Sequence, residues 1–328
     1  MLGVILSTTG CGTFVAHRLA QAPNRYPDWF DFEAPVQLGF SPRFLTNFPA
    51  EYVTVAPPPA RLRYRVVPPA EYHWQEHSTN WSAHGRREFL FRFQADFPAA
   101  TNAWSTAPKG TVILLHGYGL AQFSLAPWAI RLAQEGWQCV LVDLRGHGKS
   151  TGRQIYFGVR ETGDLTQLLD ALAARGELRP PVAVLGESYG AALALRWKAA
   201  DPRVGPVVSI APYASLSNAV MNIRNEYVSW LPRPMVRAGL CKLPGVLGVS
   251  AADLDTVPVM ELHPVTALFV AGAQDKIAPV AEVEKLRALA SPDSRMLVVP
   301  EATHEALSYF FDDLTPAVLA WLEQGRKH

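Results

Sequence analysis

The most constraining stretch of the chain is Gly186-Glu187-Ser188-Tyr189-Gly190. It stands between the apolar run Val182-Ala183-Val184-Leu185 and the run Ala191-Ala192-Leu193-Ala194-Leu195. A short apolar run ended by a turn signal reads as a buried strand, and an Ala/Leu run reads as a helix. The backbone must then reverse so sharply around Ser188 that a Cβ at either flanking glycine position would collide with it. A turn of this kind lifts the serine hydroxyl clear of the sheet. The pentapeptide alone arises by chance; its position between strand and helix gives it weight.

The rest of the chain offers a sheet to carry that turn. Six nearly continuous apolar runs predict strands buried on both faces: 111–115, 138–142, 182–185, 207–210, 266–270 and 296–299. Two earlier segments, Arg61 to Val67 and Glu88 to Phe93, come close to alternating polar with apolar residues, as antiparallel edge strands with one wet face do. Helical spacing separates the apolar runs at 125–135, 162–174, 189–200 and 280–289, and closes the chain at 314–322. Alternation of this kind predicts right-handed crossovers and a mostly parallel sheet with helices on both faces. A longer piece, 212–264, interrupts it. Leu216, Val220, Ile223, Tyr227, Trp230 and Leu231 recur there at helical spacing, and the segment is the candidate lid.

Composition excludes several alternatives. With 49% apolar and 18% charged residues the chain can bury a sizeable core. Its net charge of +1 is not spread as a basic stripe, which argues against nucleic acid as a partner. Three cysteines are too few, and odd in number, for a disulfide framework. Cys139 reads as a small buried hydrophobe. Residues 1–60 read as an N-terminal extension with a short helix over 13–21. Within it Leu6-Ser7-Thr8-Thr9-Gly10-Cys11 resembles a bacterial lipoprotein cleavage site, departing from it at Thr8, where leucine is favoured. Lipidation of Cys11 would attach the protein to a membrane in the bacterial cell envelope; without it the expectation is the cytoplasm. The competing reading is a short buried or frayed terminus.

Three motifs stand in order along the predicted strands: His116-Gly117-Tyr118-Gly119, then Asp143-Leu144-Arg145-Gly146-His147-Gly148-Lys149-Ser150, then the serine turn. With an aspartate after the seventh strand and a histidine after the eighth, the chain resembles the α/β-hydrolase superfamily over roughly residues 61–325. The Arg-Gly-His-Gly-x-Ser wording is similar to lysophospholipase and monoacylglycerol lipase relatives. The resemblance implies an α/β fold with an eight-stranded, mostly parallel sheet, a hydrolase domain over 61–328 and a helical lid inserted at 212–264.

Nucleophilic catalysis by serine needs a base and a group that holds the base in one tautomer. The resemblance implies the chain order serine, acid, histidine. His304 follows the loop Pro300-Glu301-Ala302-Thr303 out of a predicted core strand, whereas His263 ends the insertion and His328 is a tail residue. Asp275 is the first carboxylate after the strand Leu268-Phe269-Val270. Asp201, Asp253, Asp255 and Glu261 are its rivals, with turn or capping roles expected for the aspartates. Asp143 reads as a turn-stabilising carboxylate near Arg145. The backbone N–H groups of Tyr189 and Tyr118 are the expected oxyanion donors, each worth on the order of 3 kcal/mol in such sites. His116 is expected to fix its loop by bonding backbone.

These residues predict a serine hydrolase that cleaves a carboxylic ester through an acyl-enzyme, with no metal or cofactor. The resemblance favours a lipid-like acyl ester. Thioester or amide cleavage by the same triad, and a non-catalytic binding protein on the same fold, are the alternatives.

Overall fold

A computed structural model of the protein describes residues 2–25, 36–39, 42–83, 86–96 and 107–326. In chain order its helices and strands are α1 (Leu2–Ala20), β1 (Val36–Gly39), β2 (Glu51–Val55), β3 (Ala60–Val67), β4 (His73–Ala83), β5 (Arg86–Asp96), β6 (Thr111–Leu115), α2 (Ala126–Gln134), β7 (Gln138–Asp143), α3 (Glu161–Ala174), β8 (Val182–Glu187), α4 (Tyr189–Ala200), β9 (Val204–Ile210), α5 (Leu216–Tyr227), α6 (Arg233–Leu247), α7 (Thr256–Leu262), β10 (Ala267–Gly272), α8 (Val280–Leu289), β11 (Arg295–Val299) and α9 (Phe311–Gly325).

The main sheet has eight strands in the order β11-β10-β9-β8-β6-β7-β3-β2. Strands β6 to β11, the six apolar runs, pair in parallel, and β3 and β2 add an antiparallel edge. Successive residues of each run face opposite sides of the sheet. Ile113, Val140, Val184 and Phe269 meet Leu168, Leu195 and Val283 of α3, α4 and α8. Leu114, Leu141, Leu185 and Val270 meet Trp128, Leu132, Leu314 and Leu322 of α2 and α9. That double burial is why β6 to β10 lack a polar alternate position; β11, expected to be buried on both faces, is instead the edge strand, with Val298 40% exposed.

The number of strands in the main sheet matches the sequence expectation, but its membership differs. Glu88 to Phe93 lies in β5, which belongs to a separate three-stranded sheet, β1-β5-β4. Its place at the edge of the main sheet is taken by β2, a strand inside the segment expected to be an extension. A period of two identifies a strand without identifying the strand it pairs with. The second sheet is not peripheral to the core. Phe91 is buried against Tyr309, ring centroids 4.9 Å apart, and against Phe311 at 5.5 Å, so β5 braces the segment that follows β11. Trp74 stacks on Phe93 at 5.9 Å and donates to Gln134 Oε1 at 2.6 Å, an anchoring role. The Trp81 side chain and Trp104 lie outside the described residues.

Helix α1 is longer than the 13–21 expected and crosses α6. The contact is so close that a Cβ on Gly239 would lie 2.4 Å from Val15 Cγ1. Lys242 Nζ donates to Thr13 Oγ1 at 2.8 Å across the same crossing. Cys11 and Cys241 are exposed and Cys139 is buried; all three are free. None of the described helices is long and apolar enough to cross a membrane.

The insertion forms α5, α6 and α7, joined by turns. Trp230, placed by its helical spacing on a buried lid face, is instead 77% exposed, because it falls in the turn before α6 rather than on a helix. Replacing Phe91 by alanine is expected to cost about 3–5 kcal/mol, since a large buried ring leaves a cavity. The check is an earlier urea unfolding transition; an unchanged transition would mean that β5 does not brace the core.

Candidate active site

The reversal expected at Ser188 is present. Ser188 ends the turn from β8 into α4 with φ 52° and ψ −109°, a left-handed conformation that non-glycine residues adopt only when their surroundings enforce it. The enforcement comes from backbone packing. A Cβ on Gly186 would lie 2.2 Å from Gly190 O, and one on Gly190 would lie 2.0 Å from Leu115 O. Glycine at both places lets α4 start against the end of β6.

The base and the acid arrive from strands farther along the sheet. Ser188 Oγ lies 2.9 Å from His304 Nε2, and His304 Nδ1 lies 2.8 Å from Asp275 Oδ2. The carboxylate accepts from Nδ1–H, which leaves the Nε2 lone pair to accept from the serine hydroxyl. The other oxygen of Asp275 accepts the backbone N–H groups of Ile277 at 2.8 Å and Ala278 at 2.7 Å. Asp275 is buried, its side chain fully so, and these bonds fix its orientation and replace water. Backbone bonds from Ala273 N to Val299 O, 2.9 Å, and from Gln274 N to Ala302 O, 3.0 Å, tie the Asp275 loop to the His304 loop. Trp128 Nε1 donates to Ser308 O at 2.9 Å and holds the far end of the histidine loop. Burial works against the imidazolium, but the Asp275 carboxylate, with Glu187 behind it, outweighs burial and raises the His304 pKa above its ordinary value.

The His116–Gly119 turn lies directly over the serine: a Cβ on Gly117 would be 3.6 Å from Ser188 Cβ. Gly119 has φ 75°, as the tight turn requires. His116 bonds backbone as expected. Its Nε2 accepts from Leu144 N at 3.1 Å, so Nδ1 carries the proton and donates to Gly117 O at 2.8 Å. Burial keeps this ring neutral, with its pKa lowered to about 4. Tyr189 opens α4, whose first N–H groups have no acceptor within the helix. The Tyr118 ring is half-buried edge-on to His147 at 6.1 Å, and His147 stacks on Tyr189 at 5.7 Å.

The rival carboxylates have other work. Asp143 accepts from Gln122 N at 2.8 Å and Lys149 N at 3.0 Å, so it stabilises its turn. Its nearest cation is Arg63 at 3.8 Å, whereas Arg145, expected beside it, is held bidentately by Asp164 at 2.6 and 2.7 Å. Asp201 binds Arg203 at a helix end. Asp255 Oδ1 accepts from Leu216 N at 2.7 Å and so secures the start of α5, and Asp253 accepts from Ser250 N. Glu261 and His263 are exposed, and His328 lies outside the described residues. Two residues near the site were missed in the sequence: Tyr309, which β5 clamps on the segment after His304, and Glu187, buried inside the serine turn. A charged residue ending an apolar strand was the available signal for Glu187.

Comparison with known proteins shows what this chain is similar to. Residues 106–247 match the model of a family described as serine aminopeptidase, S33. An esterase of Pyrococcus furiosus, Pf2001, superposes with a TM-score of 0.63 over 88% of this chain and 95% of its own, at 19% identity. The chain has the fold of the α/β hydrolases. By sequence it is similar to a monoacylglycerol lipase of Mycolicibacterium smegmatis, 26% identical over 66% of this chain and 90% of that protein. It is also similar to the uncharacterized protein YqkD of Bacillus subtilis, 27% identical over 61% of this chain; the match spans 66% of that protein's length.

Because the acceptor nearest Gly190 is backbone, Gly190→Ala is expected to prevent folding, measured as loss of soluble protein. Gly119→Ala meets nothing within 4 Å and bears only its positive φ. It is expected to fold with a loss of about 1–2 kcal/mol.

Proposed function

We propose that this protein is a serine hydrolase of carboxylic esters, with Ser188 as nucleophile, His304 as base, and Asp275 orienting the base. The observation that carries the reading is the unbroken relay Ser188 Oγ–His304 Nε2–Nδ1–Asp275 Oδ2, at 2.9 and 2.8 Å. Ser188 Oγ attacks the acyl carbon and its proton passes to His304 Nε2. The tetrahedral oxyanion is stabilised by the backbone N–H groups of Tyr118 and Tyr189, the second with the N-terminal dipole of α4 behind it. His304 gives the proton to the leaving oxygen, an acyl-enzyme remains, and water attacks it with His304 again as base.

The favoured substrate is a lipid-like acyl ester. The monoacylglycerol lipase relative supports this, as does α5, where Met221 and Ile223 are half-buried rather than sealed into the core. The family description as serine aminopeptidase supports a second reading, amide cleavage by the same residues. Aryl esters of increasing acyl length set against aminoacyl anilides separate the two. The lipid reading expects rates that rise with chain length, and a preference for about four carbons or fewer would end it. Attachment to a membrane through Cys11 is supported by its exposure and by its place just before the stretch of α1 docked on α6. An unmodified Met1 in the intact mass of the membrane fraction would rule it out.

A fluorophosphonate probe is expected to label the wild type and not Ser188→Ala. The variant is expected to lose on the order of 10⁶ in kcat. Labelling that survives in Ser188→Ala refutes the assignment. Asp275→Asn is expected to lose about 10⁴ in kcat, because the wrong tautomer is then held.

The pH dependence follows from the raised His304 pKa. The protonated imidazole cannot accept the serine proton, so kcat/KM falls as pH drops through that pKa. The midpoint of this acid limb is expected above the ordinary histidine value of 6.5. A midpoint at or below 6.5 contradicts the electrostatics of the site.

A further inference from the structure

A cavity of about 350 Å³ shares no lining residue with the Ser188 site. Three arginines, Arg25, Arg145 and Arg153, line it together with Tyr156 and Gln154, and no acid is among its lining residues. Its walls are tied to one another. Ala22 N donates to Arg153 O at 3.1 Å and Asn24 N to Gly146 O at 3.1 Å. Asn24 Nδ2 adds bonds to Gly148 O at 3.2 Å and Ser150 O at 2.9 Å, so the turn that bears Arg25 is seated on the turn that bears Arg145. The two turns touch so closely that a Cβ on Gly146 would lie 2.6 Å from Ala22 Cβ. The Glu161 carboxyl accepts Tyr156 N at 2.7 Å and Gly158 N at 2.9 Å, which holds the segment after Arg153 to α3. Gln167 of α3 bonds Ala56 N and O at 3.0 and 2.9 Å and so fixes the turn between β2 and β3, whose Pro58 and Pro59 close the remaining side.

The three cations differ in what already holds them. Arg145 is 1% exposed, and Asp164 accepts from its Nε at 2.7 Å and its Nη2 at 2.6 Å. Nη1 has no acceptor among the described residues, yet it is not one of the fully enclosed polar atoms; its N–H groups therefore open on the cavity that Arg145 lines. A buried ion pair carries a desolvation cost that an apolar pair would avoid. Arg25 and Arg153 are exposed and form no ion pair among the described residues. Asp164 and Glu161 both lie on α3, the first engaged by Arg145 and the second by backbone N–H groups. With Arg145 balanced by Asp164, two positive charges are left unmatched at the cavity. A carboxylate would match one of them. A phosphomonoester carries about −1.5 to −2 near neutral pH and matches both. Guanidinium groups also present paired N–H donors to phosphate oxygens at the right spacing. The volume accommodates part of the group that bears the phosphate as well.

We propose that this cavity binds the terminal phosphate of a phosphomonoester, held by Arg25, Arg153 and Nη1 of Arg145. Arg145 supplies the fixed donor, because Asp164 and the surrounding packing leave its guanidinium one orientation. Arg25 and Arg153 supply the uncompensated charge from the ends of two tied turns. The Tyr156 hydroxyl and the Gln154 amide are the polar groups left for the part of the ligand beyond the phosphate. Binding makes and breaks no covalent bond and needs neither Ser188 nor turnover. The phosphate is borne by a soluble small molecule or by a lipid headgroup, and the chemistry at the arginines is the same for both.

The test is calorimetric titration of the full chain, at low salt and slightly alkaline pH, with inorganic phosphate, glycerol phosphate and acetate. Both phosphates are expected to bind saturably, glycerol phosphate the more tightly, and acetate at least about tenfold more weakly than either. Added salt is expected to weaken the binding, as is acidification through the second phosphate pKa of about 6. Arg25→Gln combined with Arg153→Gln removes the unmatched charge at two exposed positions. That variant is expected to unfold at the same urea concentration as the wild type and to lose about tenfold in affinity for each arginine. Sedimentation with phosphatidylcholine vesicles containing phosphatidic acid identifies the bearer. Vesicle binding that the double variant loses assigns the phosphate to a lipid headgroup, and binding of the soluble probes without vesicle binding assigns it to a small molecule; both support the site. Three results overturn it: no saturable binding of either phosphate or of the vesicles, binding that the double variant retains in full, or acetate bound as tightly as phosphate. Ser188→Ala is expected to bind as the wild type does, so an absence of ester turnover would end the proposed function and leave this result standing.

Discussion

The close approach of α4 to the end of β6 governs the whole site. Gly190 leaves no room between the helix and the Leu115 carbonyl, and the chain can meet that carbonyl only if Ser188 adopts φ 52°. The strain is therefore held by two flat pieces of backbone rather than by a side chain that might move. The same approach brings Gly117 beside Ser188 Cβ, so the turn that follows β6 comes to lie over Ser188. The strained backbone at Ser188 and the placing of the His116–Gly119 turn are two results of one contact.

Electrostatic roles are then decided by what each carboxylate accepts. Asp143 and Asp275 both leave the carboxyl ends of core strands. Asp143 gives one oxygen to Gln122 N on the segment after β6 and the other to Lys149 N in its own turn. Asp275 spends one oxygen on Ile277 and Ala278 and keeps the other for His304. The buried acids Asp143 and Asp275 thus differ in what they hold through their hydrogen-bond partners rather than their residue type.

Support for the histidine loop comes from a distance in sequence. The rings of Phe89 and Phe91, on the three-stranded sheet, close on Tyr309. Helix α1 docks on α6 in the insertion, so the N-terminal third touches both the segment after His304 and the insertion. None of this was legible in the sequence, because an alternating strand such as β5 and a small-residue helix such as α1 show which face is apolar and not what it meets. The exposed Trp230 has the same cause: helical spacing was read through a turn.

What the sequence determined by itself is local and chemical. The strand, the obligatory glycines and the helix around Ser188 follow from residue types within a few positions, as do the six apolar strands, five of them buried on both faces, and the order in which Ser188, Asp275 and His304 occur. What only the tertiary structure decided is which of these groups touch. Ser188 and His304 are 116 positions apart and His304 and Asp275 are 29 apart, and the strand order of the sheet closes both gaps to hydrogen-bond length. The buried carboxyl of Glu187 belongs to the same category. A residue's charge is written in the chain, but its burial and its partners are properties of the packing around it.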